Sequence, residues 1–210
     1  MVNYRMVRFV FSLFAGLAVL TLTGCQTPAQ RLEPGTADFI QPGVTTRAEL
    51  VAAFGAPRQV LASEGRTLLF WDVIYWASNN RYAASGILSP SEDSHARGLS
   101  VLLGPDGRVL AKHYSIHDFH TYFGSRMVSV GNYVEDQTIA QIKPGHTTQR
   151  EAMALLGEPM MESLTLNGDL TLDWAYAQAN SIAGETEQRL FRVLVNSQGI
   201  ITTTRFVDQP

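Results

Sequence analysis

The chain has 210 residues, 16 basic against 19 acidic side chains, and a single cysteine. A formal net charge of −3 argues against nucleic acid as a partner, which calls for a basic surface. One thiol allows no internal disulfide, so burial alone must hold the fold.

Residues 1–24 are expected to stay outside that fold. Arg5 and Arg8 are the only charged residues among them, and Phe9 to Leu22 is an almost unbroken apolar run of 14. A bilayer span needs about 20 such residues, so the run suits the core of a signal peptide. It ends in Leu22-Thr23-Gly24-Cys25, which resembles the lipobox of bacterial lipoproteins. The resemblance implies cleavage before Cys25, a diacylglycerol on its thiol and an acylated amino terminus. Two or more acyl chains hold a membrane firmly, whereas one does so only marginally. Gln26 resembles an outer-membrane address, since Asp at that place tends to retain Gram-negative lipoproteins in the inner membrane. Residues 25–210 would then carry 14 basic and 19 acidic side chains, a net −5. Residues 25–37, with Pro28 and Pro34-Gly35, read as a tether.

An internal duplication organises the remainder. Pro42 to Pro57 returns as Pro144 to Pro159, with 8 of 16 positions identical and no gap. Each copy punctuates a helix. Thr46 with Glu49, and Thr148 with Glu151, are capping boxes. Leu50 and Phe54 share a helical face, as do Met153 and Leu156. Gly55 and Gly157 suit a left-handed terminating position, and Pro57 and Pro159 prevent the helix from resuming. Capping and termination account for every identity, so the Thr and Glu residues are not catalytic candidates.

Strands are expected after each helix. In the first unit they run over Thr67 to Tyr75, Leu99 to Leu103 and Arg108 to Tyr114, with turns at Ser63-Glu64-Gly65 and Gly104 to Gly107. The unit thus reads as one helix and four strands. Residues 76–97 between the hairpins read as a long polar loop. In the second unit, Leu164 to Leu166 and Leu170 to Tyr176 form a hairpin. A three-residue loop over Asn167 to Asp169 would pair 166 with 170 and put both leucine sets on one face. An odd loop length with Gly168 or Asp169 at positive φ is therefore expected. Leu190 to Val195 and Ile200 to Phe206 form the last hairpin. Trp71 matches Trp174 and Gly107 matches Gly199, and these read as core rather than site.

Residues 116–137 read as a polar connector. His113, His117 and His120 stand out near its start. On a helix their spacing would put three imidazoles on one face, a zinc arrangement. On a strand His120 would point away from the other two. A helix directly after a strand is disfavoured and no thiol is available as a fourth ligand, so no metal is expected.

A Pro-Gly-x-Thr-Thr-x-x-Glu helix closed by Gly-x-Pro, followed by a strand bearing Trp, in a lipoprotein, resembles the SmpA/OmlA (BamE-like) family of outer-membrane lipoproteins. Its tandem form is similar to the β-lactamase inhibitory proteins, whose two repeats make one concave sheet. The resemblance covers about residues 38–115 and 138–207. It implies an α+β fold of two tandem units, each a short helix packed on an antiparallel sheet. It also implies a lipid anchor at the periplasmic face of the outer membrane and an envelope protein as partner.

Nucleophile-elbow, phosphate-loop and zinc-protease motifs are missing from the sequence. The reading is a non-catalytic protein-binding lipoprotein without cofactor, accessory to outer-membrane protein assembly or envelope integrity. The alternatives are an inhibitor of a secreted enzyme and a metal-dependent protein built on the His cluster. Between Trp71 and Gly107 lie 11 more residues than between Trp174 and Gly199, an excess assigned to the 76–97 loop. Trp76, Arg81 and Tyr82 on that loop are the candidate partner-binding residues, because Trp, Tyr and Arg dominate interface energetics.

Overall fold

A computed structural model describes residues 32–75, 92–123, 127–180 and 182–207. Cys25, Trp76, Arg81 and Tyr82 lie outside the described residues. The fold is α+β. The first unit is helix α1 (Arg47–Phe54) with strands β1 (Gln59–Ser63), β2 (Arg66–Tyr75), β3 (Glu92–Leu103) and β4 (Val109–Phe123). Strand β5 (Met127–Gly131) and the single turn α2 (Asp136–Ile139) lead to the second unit. That unit is α3 (Gln149–Leu156) with β6 (Met161–Leu164), β7 (Leu170–Asn180), β8 (Glu185–Val195) and β9 (Ile201–Phe206). The nine strands of the described residues join one antiparallel sheet in the order β1-β2-β3-β4-β5-β7-β8-β9, with β6 paired to β7.

The duplicated motif folds the same way twice. Thr46 Oγ1 accepts the Glu49 N–H while the Glu49 carboxylate accepts the Thr46 N–H, at 3.4 and 2.7 Å. Thr148 and Glu151 repeat this at 3.2 and 2.8 Å. The preceding Thr has another task. Thr45 and Thr147 are buried and take the N–H groups of Gln41 and Lys143, both at 2.8 Å. Their carbonyls accept the N–H groups of Val109 and Ile201, tying the motif to each unit's last strand. Both helices end at a glycine of positive φ, with φ 80° and ψ −167° at Gly55 and φ 79° and ψ −174° at Gly157. That is not the left-handed helical position expected; it is an extended region of positive φ that is open essentially to glycine alone.

Each glycine carbonyl is capped by a tryptophan. Trp71 Nε1 donates to Gly55 at 3.1 Å, and Trp174 Nε1 to Gly157 at 3.0 Å. Both Trp rings are buried, so each locks a helix end to the sheet. The first core joins Leu50 and Phe54 of α1 to Leu69, Trp71, Leu99 and Val101. The second joins Ala152 and Leu156 of α3 to Leu172, Trp174, Phe191 and Val193, with Met153 packed against it. Burying each large side chain stabilises by about 1.5–3 kcal/mol.

Further expectations are corrected. Residues 92–97 are not loop; they begin β3, paired with β2 from His95 to Leu103. Residues 116–137 are not a connector beside the sheet. Strand β4 runs on to Phe123, and β5 bridges Thr121–Phe123 of β4 to Tyr176–Asn180 of β7. The end of the 25–37 tether is core, because Leu32 and Ala37 are buried against α1's cluster. The β6–β7 loop is of odd length with Gly168 at φ 89°, but Leu164 pairs with Leu170, so the loop is Thr165–Asp169. The leucine sets also part company. Leu172 enters the second core, whereas Leu164 packs on Leu68 and Leu102 of the first unit. Strand β6 is drawn across onto the first unit, which takes its side chains away from β7's core.

Candidate functional site

Strand β6 crosses the face of β3 and β4 that carries no helix. Small residues make the seat. Gly98 leaves room for Met161, whose Sδ would stand 3.0 Å from a Cβ there. Ser100 Oγ accepts the Leu164 N–H at 2.9 Å, and Ser115 Oγ donates to the Glu162 carbonyl at 3.5 Å.

The carboxylate of Glu162 meets two of the three histidines singled out above. His113 Nε2 is 2.7 Å from Glu162 Oε2. His117 Nε2 stands 3.4 Å from Oε1, near enough for charge attraction but without hydrogen-bond alignment, and its Nδ1 is 3.5 Å from Glu158. An ionised carboxylate can only accept, so His113 Nε2 carries the proton of its bond. Burial pushes the Glu162 carboxyl up, but the His113 hydrogen bond and the nearness of His117 outweigh it and bring it from 4.5 to about 2. His113 and His117 sit two residues to either side of Ser115 on strand β4, and so share one face. The side chain of His120 lies outside those described. Among the described residues, no three His, Cys, Asp or Glu side chains are arranged to hold a metal ion.

Beside this junction a cleft of about 870 Å³ opens between the two units. Leu61, Leu68 and Phe70 line it from the first unit, Glu162 and Leu164 from β6, and Asp173, Arg192 and Arg205 from the second. Arg192 makes a bidentate pair with Asp173, both contacts at 2.6 Å. On the first unit's wall Arg58 reaches Asp72 at 2.6 Å. Arg205 is exposed and has no ion-pair partner among the described residues, although it lies directly opposite Arg192 on the neighbouring strand. Two like charges in register are unfavourable unless something anionic joins them.

Sequence reasoning found His113 and His117 but missed Glu162, Arg192 and Arg205. Extending the duplication through Gly107 and Gly199 would have found the arginines, for it sets Ser100 against Arg192 and His113 against Arg205. Nothing local marks Glu162 beyond an acid inside a short alternating strand.

Residues 131–204 match the family model described as the outer membrane protein assembly factor BamE domain. The matched stretch runs from the end of β5 into β9 and so takes in both α2 and α3. No curated protein and no solved structure matches the chain.

Proposed function

We infer, from the premise that the second unit is a BamE-like domain, that this chain is a non-catalytic binding module of the bacterial envelope. Lipid on Cys25 would hold it at the periplasmic face of the outer membrane, where it serves outer-membrane protein assembly as an accessory. The observation that carries this reading is the BamE match over the helix and sheet of the second unit. The first unit, outside the match, repeats the same capping box, terminating glycine and Trp hydrogen bond. The polar groups at the junction support a binder over an enzyme, because Glu162 and His113 are spent on each other in joining the units. Trp76, Arg81 and Tyr82 remain the proposed contacts on the first unit's inserted loop.

Affinity capture from solubilised envelope, read by mass spectrometry, tests the role. Components of barrel assembly are the expected companions. Capture of a hydrolase in their place would turn the reading to an enzyme inhibitor. The anchor has its own test. The wild-type chain is expected to begin at Cys25 with acyl additions by intact mass, and Cys25→Ser to appear in the soluble fraction. A chain that begins at Met1 with an unmodified thiol would contradict the anchor.

A further inference from the structure

The two units present equivalent faces, and among the described residues only one of them is occupied. In the first unit, Ser100 and His113 face each other across β3 and β4, and β6 lies over them. The occupant is an extended segment. Its backbone N–H at Leu164 meets Ser100, its carboxylate at Glu162 meets His113, and Leu164 fills the apolar patch of Leu68 and Leu102. The acid and the apolar residue are two apart, as a strand places side chains on one side.

In the second unit the corresponding pair is Arg192 and Arg205, again directly opposed across β8 and β9. The correspondence is fixed by shared irregularities. The register shift between Leu102 and Leu103 matches that between Leu194 and Val195. The turn bonds Gly104 to Arg108 and Asn196 to Ile200 also coincide. Leu194 stands where Leu102 stands. This second face borders the cleft, among the described residues no segment of the chain lies across it as β6 lies across the first, and Asp173 is taken up bidentately by Arg192, which leaves the Arg205 guanidinium without an ion-pair partner among the described residues.

We propose that the Arg192–Arg205 face is a docking site for an extended peptide segment of another protein, laid across β8 and β9 as β6 is laid across β3 and β4. The segment carries a carboxylate and, two residues away, an apolar side chain. The carboxylate binds Arg205 and relieves its opposition to Arg192. The apolar residue enters the cleft beside Leu194, against Leu61, Leu68 and Phe70. A guanidinium in place of an imidazole suits a partner that must be recognised in trans, since it is always charged and offers a fork of donors to a carboxylate.

The inference deepens the binding-module reading and rests on it. The test uses the mature chain and a labelled, end-capped peptide with the sequence of residues 160–165, Met-Met-Glu-Ser-Leu-Thr. Saturable binding by fluorescence anisotropy is expected. It should weaken at least tenfold when the peptide's Glu is replaced by Gln, and at least tenfold in Arg205→Gln. Arg205→Lys should recover part of the loss. In ¹⁵N-labelled protein, amide shifts on peptide addition should centre on residues 192–194 and 203–205. Equal binding by the Gln peptide, undiminished binding by Arg205→Gln with native circular dichroism, or shifts centred on residues 98–100 and 113–117 would each overturn the proposal. Peptide binding that fails while envelope capture of assembly components persists would overturn this inference alone. Arg205-dependent binding with no such capture would overturn the assembly role alone.

Discussion

Strands β1 and β6 follow the same Gly-x-Pro signal in the two units, pair with equivalent strands, β2 and β7, and end opposite in fate. Strand β1 is exposed along all five residues and forms an edge of the sheet. Strand β6 is alternately buried, because it has the first unit's face to lie on. Val60 holds the place in β1 that Glu162 holds in β6, and Val60 is 44% exposed. The difference teaches that the duplicated unit specifies a helix and its hairpins, while its neighbour decides what the strand after the helix does. A carboxylate is tolerated inside β6 because two imidazoles across the junction receive it.

The largest effect is expected where the units are spliced. A Cβ at Gly131 would lie 2.0 Å from the Ala175 carbonyl oxygen, at φ 80°. Gly131→Ala should therefore part β5 from β7 and cost more than about 4 kcal/mol, in the range reserved for backbone clashes and strain. Gly107→Ala is the control, for its φ is 74° but nothing lies within 4 Å of the new Cβ. It should cost only about 1 kcal/mol. Urea midpoints of the two variants measure the contrast, and equal losses would deny that β5 is the splice.

Removing the buried acid comes next. Glu162→Ala should cost about 3 kcal/mol, as expected when one partner of a buried pair is lost. Val60→Ala, at the matching place in the exposed strand, should change stability by less than about 0.5 kcal/mol. Comparable losses would mean that β6 is no better anchored than β1.

Acid should act on the same contact. The Glu162 carboxyl sits at about 2 when folded against an ordinary 4.5. The unfolded chain thus binds the proton more tightly, and the stability due to this group is present above about pH 4.5. It is lost as the pH falls from there through 2, an amount of at most about 3 kcal/mol by linkage once solvent screening is taken off. The wild type minus Glu162→Gln difference in unfolding free energy isolates it from other carboxylates. A difference independent of pH over that window would show that the carboxyl is not held low.

The smallest contrast concerns the tryptophans. Trp71→Phe and Trp174→Phe each delete one hydrogen bond to a terminating glycine. Each should cost about 1–2 kcal/mol, and by similar amounts. A clear inequality would break the equivalence of the two helix ends.

Much of the fold was legible in the sequence because its signals are local. A capping box, a glycine and a proline bound each helix within 16 residues, and turn glycines mark the hairpins. The same reasoning failed where pairing is remote. Nothing near Thr121 announces Val130 or, beyond it, Ala177, so the continuation of β4 and all of β5 read as connector. The alternation rule did place His113 and His117 together, once the segment was taken as strand. Their partner Glu162 is 49 residues from His113, and its burial comes from β6 being borrowed by the other unit. Arg205 reads as an ordinary surface charge until the duplication is carried past the helices to the last hairpin.

Strand β6 is held to the first unit through Glu162, and among the described residues no segment lies on the second unit's matching face. A double-mutant cycle of His113→Ala and Glu162→Ala by urea denaturation tests that contact most directly. The account predicts a coupling above about 1 kcal/mol, as for residues that share a buried polar contact. Additivity within about 0.3–0.5 kcal/mol, the behaviour of independent sites, would contradict it.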